Sequence, residues 1–118
     1  MLELMTLFIV KHTIADYFTQ YGWMIKDKAT YGAKGGIAHA VWHGILTNIV
    51  LLFFVDPLTA AFLGTLDAII HYHIDYIKSN VWKSRGYTAQ DQMFWVTHGV
   101  DQLLHLLTYI GIIYYLCV

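Results

Sequence analysis

A single cysteine, Cys117 in a chain of 118 residues, rules out a disulfide within the chain and a zinc site built on thiolates. Only one proline, Pro57, is available to break a helix. Charge is scarce as well: 13% of residues are Asp, Glu, Lys or Arg and the formal net charge is −1, so no basic stripe exists for nucleic acid and none is expected as a partner. Neither a phosphate-cradling glycine loop nor a Gly-x-Ser-x-Gly elbow occurs. Internal repeats and low-complexity segments are also missing.

Apolar residues fill the space these absences leave. They make up 58% of the chain, and the mean hydropathy of +0.51 suits a bilayer better than water. A span needs about 20 residues. Four segments approach that length: residues 2 to 20, residues 37 to 55, residues 57 to about 78, and a last helix running nearly to the C-terminus. The expected fold class is therefore all-α, a polytopic membrane protein with four transmembrane helices in a bundle, residues 1–118 forming a single domain. Asp56 reads as an N-cap with Pro57 at the first helical position, which makes the second and third helices a tight hairpin. Thr88 to Asp91 has the form of a capping box opening the fourth helix. The first helix carries Lys11, His12 and Asp16 at its centre and no small-residue cleavage site follows it, so a cleaved signal peptide is not expected.

Six of the seven Lys and Arg residues lie in or beside the loops after the first and third helices. The positive-inside rule then puts those loops in the cytoplasm and both termini outside, in a multi-pass inner-membrane protein.

Each predicted helix carries two potential metal ligands one turn apart: His12/Asp16, His39/His43, His71/Asp75 and Asp101/His105. Spacing of i, i+4 puts both members of a pair on one face. At roughly 1.5 Å per residue the pairs fall within about 3 to 25 Å of the cytoplasmic helix ends, so four inward faces would meet at similar depth. A single histidine in an apolar helix is more often a hydrogen-bonding residue than a ligand. Four matched pairs reverse that balance, because buried carboxylates need a counter-charge. Imidazole and carboxylate without thiolate suit zinc first, then manganese or iron, as one or two divalent ions. His98, three residues before Asp101, joins the candidate ligands. Asp67, one turn before His71, is the candidate catalytic base. Gln20 and Gln102 are weaker candidates, and His73 points off the His71 face.

At these residues the chain resembles a known family. His12-x-x-x-Asp16 with Gln20, His39-x-x-x-His43, the segment from His71 to Lys78, and Asp101-Gln102-Leu-Leu-His105 look like the motifs of a small bacterial and phage membrane family known as a domain of unknown function, number 3307. The likeness covers nearly the whole chain. More distantly, the His/Asp-rich helices are similar to an inner-membrane family of metal-dependent hydrolases, and through it to the helical zinc phospholipase C and S1/P1 nuclease group, whose N-terminal metal ligand has no counterpart here. The resemblance implies hydrolysis of a phosphoester, either a lipid head group or a small nucleotide. Physically, His/Asp-bound metal could polarise a phosphoryl oxygen and activate water. Proton or divalent-cation transport is one rival, since intramembrane His and Asp also mark ion paths. Another is a structural metal in a protein that acts through partners. Membrane lipid and a second copy of the chain are the other expected partners.

Overall fold

The Asp56-Pro57 boundary forms as its residues dictate. The Asp56 carboxylate accepts from the backbone N–H groups of Leu58 and Thr59 at 3.1 and 3.0 Å, and Pro57 begins the helix. In the computed structural model, which describes residues 1–118, the elements are α1 (Leu2–Thr13), a π-helical turn (Ile14–Phe18), α2 (Gly22–Ile25), α3 (Lys34–Leu51), α4 (Pro57–Arg85) and α5 (Gln92–Cys117). No strand is present. The chain is all-α, as expected.

The four-span membrane bundle is not what forms. The five α-helices pack into an all-α globule with a radius of gyration of 14.5 Å. Only α5 is long and apolar enough to cross a membrane, by length and composition alone, with a mean hydropathy of 1.3 over its most apolar stretch. The multi-pass inner-membrane placement, with both termini outside, has no support. The physical reasons differ by helix. The 12 residues of α1 span about 18 Å against a hydrocarbon core of about 30 Å. Lys34 opens α3, which ends at Leu51 rather than 55. Charge and histidine run through the middle of α4, and its 29 residues continue past Lys78 to Arg85, consuming most of the expected second polar loop. Gly86 caps it in the left-handed conformation at φ 66°.

The fourth helix also starts later than the capping box implies. The Asp91 carboxylate accepts from Thr88 N–H at 2.8 Å, closing a turn, and α5 begins after it at Gln92. Between α3 and α4 the predicted hairpin is present and unusually close. A Cβ on Gly44 would lie 2.6 Å from the Gly64 carbonyl oxygen, and one on Gly64 2.8 Å from the Gly44 carbonyl oxygen. Only glycine fits at both crossings. One end of the bundle then closes over Leu4, Phe8, Leu51, Leu63, Tyr109 and Ile112. The polar faces meet at the other.

Candidate metal centre

α1 does not end as a regular helix. It passes into the π-helical turn that carries Asp16, an irregularity often found at functional sites. The i, i+4 relation survives, with His12 Nε2 3.1 Å from Asp16 Oδ2. On α3, His39 and His43 are both fully buried, and their Nε2 atoms lie 3.1 and 2.8 Å from Asp16 Oδ1. On α4, His71 Nε2 lies 3.2 Å from Asp75 Oδ2. On α5, His105 Nε2 lies 3.1 Å from Asp75 Oδ1 and 3.5 Å from Asp101 Oδ2. His71 is the centre of an imidazole stack, with ring centroids 3.6 Å from His43 and 4.0 Å from His105.

Two ligand sets result, Asp16/His39/His43/His71 and His71/Asp75/His105, and each could hold a metal ion. They share His71. A tetrahedral zinc with bonds of about 2.0–2.1 Å needs ligand atoms about 3.3–3.4 Å apart, and within the sets the separations of 3.1 Å for His39–Asp16, 3.2 Å for His71–Asp75 and 3.1 Å for His105–Asp75 are close to that edge. Although His71 Nε2 is within reach of Asp75, neither of its ring nitrogens makes an aligned hydrogen bond in the buried interior. An unsatisfied buried imidazole is destabilising unless something accepts its lone pair or proton.

Charge points the same way. Asp67, Asp75 and Asp101 each pair with a lysine: Lys11 at 3.0 Å, Lys28 at 2.8 Å and Lys78 at 3.1 Å. Asp16 has histidines and Gln102 around it and no lysine or arginine. Four enclosed carboxylates thus face three ammonium groups, leaving one positive charge to find. Either a metal ion or a proton on one imidazole supplies it, and His105, between Asp75 and Asp101, is placed to hold such a proton.

At His43 and His71 the protonation states fit ligation. Burial pushes His43 down to about 3, against the pull of Asp16, and burial also holds His71 well below its ordinary value. Both rings are therefore neutral, as a metal ligand must be. Burial opposes ionisation of Asp16, but the hydrogen bonds from His12, His39 and His43 hold its carboxyl far below the usual range. Asp75 is likewise ionised despite burial, through His71, His105 and Lys28. Lys11 Nζ lies 3.3 Å from His43 Nδ1. A charged Lys11 donates there and leaves the ring proton on Nε2. A neutral one accepts from Nδ1–H and frees Nε2 for a metal. Desolvation, only partly offset by Asp67, lowers the pKa of Lys11.

The remaining predicted residues lie around this centre. His12 is bound through Nδ1 to the Tyr109 hydroxyl at 2.8 Å and through Nε2 to Gln102 Oε1 at 2.9 Å, so it orients Asp16 rather than joining either set. Asp101 sits behind His105, held by Lys78. Asp67 is apart from both sets: its Oδ2 accepts from Lys11 at 3.0 Å and from the Thr47 hydroxyl at 2.6 Å. His98 is half-buried near Trp82 and Trp95, away from the cluster. Gln20 accepts from Lys28. His73 is exposed and bonds the Ile69 carbonyl and Tyr31.

A family model described as a protein of unknown function, DUF3307, matches residues 4–118. The chain belongs to the DUF3307 family. No curated protein and no solved structure matches it. In this DUF3307 protein the lysines are what reading the sequence missed as parts of the centre. Lys78 had a signal, since it follows Asp75 by three residues and so shares its face. Lys11 had a weaker one, a charge inside an apolar helix. Lys28, in the loop after α2, had none.

Proposed function

We propose that this DUF3307 protein is a metal-dependent hydrolase acting on a phosphoester, with one or two divalent ions, zinc first among them, held by Asp16, His39, His43, His71, Asp75 and His105. The observation that carries this reading is the pair of buried ligand sets joined at His71, with separations close to those coordination needs. A bound divalent ion would polarise a phosphoryl oxygen and lower the pKa of a coordinated water. The chain's own residues supply the rest. Lys28 and Lys78 fix Asp75 and Asp101, and His12 with Gln102 fixes Asp16. Each aspartate has its Oδ2 engaged, Asp101 by Lys78 and Gln102 and Asp67 by Lys11 and Thr47, but Asp101 also lies 3.5 Å from the ligand His105, and its Oδ1 is buried without a partner. We therefore assign the general base to Asp101 and give Asp67 the task of holding Lys11 beside His43.

Transport fits less well. The apolar end, closed by Leu4, Phe8, Leu51 and Leu63, offers no polar path beyond the histidines. Membrane association enters the proposal through α5 alone: its 26 residues reach about 39 Å, and Val96, Val100, Leu103, Leu107, Ile110 and Tyr114 form an exposed apolar stripe along it. Resistance of the membrane-fraction protein to alkaline extraction checks this part; release into the supernatant would refute it.

Elemental analysis is the first test, on purified wild type beside His71→Ala, His105→Ala and Asp101→Asn. One or two equivalents of metal in wild type are expected, with His71→Ala retaining none because both sets lose a ligand, and His105→Ala retaining the set that lacks it. Asp101→Asn should keep its metal and lose phosphoester turnover. A wild type that stays metal-free after reconstitution would sink the reading.

A further inference from the structure

A cavity of about 440 Å³ opens beside the metal centre, between α2, the second half of α4 and the first turns of α5. Small-ligand sites run from about 300 to 1,000 Å³, so it is large enough for a phosphoryl group and part of what carries it. Its lining is unlike that of the rest of the surface. Lys26, Lys28, Lys78 and Lys83 all contribute to it, together with Trp82 and His98, and no carboxylate does.

The four lysines divide into two kinds. Lys28 and Lys78 turn inward to Asp75 and Asp101, at 2.8 and 3.1 Å, so their charge is already matched. Lys26 and Lys83 are exposed and make no ion pair, which leaves the cavity with an excess of two positive charges. His98 contributes to the wall, its Nδ1 buried behind the accessible surface with no hydrogen-bond partner. Two unmatched ammonium groups on a concave space whose wall holds no carboxylate are the complement of a compact dianion.

We propose that this cavity is a phosphate-binding site, which takes the phosphoryl group of a phosphomonoester or of a phospholipid head group between Lys26 and Lys83. The inference rests on the hydrolase reading only for its place in the reaction. Lys28 touches both the cavity and the ligand carboxylate of Asp75, and Lys78 both the cavity and Asp101, so a phosphoryl group seated here lies next to the metal centre. Binding itself needs no metal. The position near the start of α5 also suits either source, since a helix meeting a bilayer would bring a lipid phosphate to its end.

The test is isothermal titration of inorganic phosphate into chelator-treated full-length protein, comparing wild type, Lys26→Gln/Lys83→Gln, His98→Ala and Lys34→Gln. Lys34 is an exposed lysine outside the cavity. Saturable binding in wild type and in Lys34→Gln is expected, weakened by about tenfold or more in the double variant and by less in His98→Ala. Thermal melts guard against misfolding, and both exposed lysines can be replaced without touching the core. No phosphate binding by wild type, or equal affinity in the double variant, would overturn the proposal. Displacement by phosphatidic acid vesicles but not by glycerol phosphate would support a lipid source, and the reverse a soluble one. A protein that binds phosphate yet holds no metal would refute the hydrolase reading alone.

Discussion

At one end of the bundle Leu4, Phe8, Leu51, Leu63 and Ile112 fill the interior, while at the other the same helices turn His43, His71, Asp75 and His105 into a space just as well enclosed. The apolar end is held by buried area, which is non-directional and roughly additive. The polar end is held by partners, so each residue is worth what its neighbours make it worth. Tyr109 joins the two: its ring stacks on Phe8 with centroids 5.1 Å apart, its hydroxyl bonds His12, and Lys11 Nζ sits 4.4 Å from its ring centroid. A defect at the apolar end should therefore stay local, whereas one at the polar end should spread through the network.

Lys11→Met should break that contrast most severely. It leaves Asp67 buried without a cation, which is expected to destabilise by about 3–5 kcal/mol, read as a fall in denaturant midpoint. Adding Asp67→Leu should restore part of the loss, because removing both charges removes the unpaired one. Phe8→Ala opens a cavity at the apolar end and is expected to lose about 3–5 kcal/mol as well, but with the same metal content as wild type by elemental analysis. Loss of metal in Phe8→Ala would show that the two ends are not separable.

Gly44→Ala sharpens the comparison from the hairpin that spans both ends. The added methyl meets the Gly64 carbonyl, and forcing α3 from α4 is expected to destabilise by about 1–3 kcal/mol. Since α3 carries His39 and His43 and α4 carries His71, metal affinity should fall with stability, as a dialysis titration would measure.

The mildest separation is by pH. The folded-state pKa values of His43 and His71 lie below the ordinary 6.5 because burial disfavours their charged forms. Below about pH 6.5 the unfolded chain binds more protons than the folded one, so the metal-free protein should lose stability as pH falls from there toward the His43 value of about 3. The change Phe8→Ala causes should be the same at pH 7 and pH 5.5, since no titrating group leaves the protein. Calorimetric melts at the two pH values check both statements.

Much of the site was legible because helix periodicity is a local property. His39/His43, His71/Asp75 and Asp101/His105 each face inward as their spacing requires, and even the π-helical turn leaves His12 against Asp16. Which pairs supply ligands was not legible. His12 turns to Tyr109 and Gln102, residues about ninety positions away in the sequence, and His98, on nearly the same face of α5 as His105, is carried off the cluster by lying two turns, about 10 Å, further along the axis. The membrane bundle was misread for a related reason. Hydropathy counts residues without knowing which face they occupy, so polar stripes turned inward and apolar residues left outside gave helices that looked like spans.

The sequence by itself determined the all-α class, the Asp56-Pro57 boundary and the inward registers of the histidine and aspartate pairs, since each depends on residues within a turn or two of one another. Only the tertiary structure decided that His71 is shared by two candidate ligand sets, that three lysines from distant segments answer three of the four aspartates, and that the basic cavity lies against the candidate metal centre. Distances of a few ångströms between residues far apart in the chain govern charge pairing and coordination, and those exist only once α1, α3, α4 and α5 have packed.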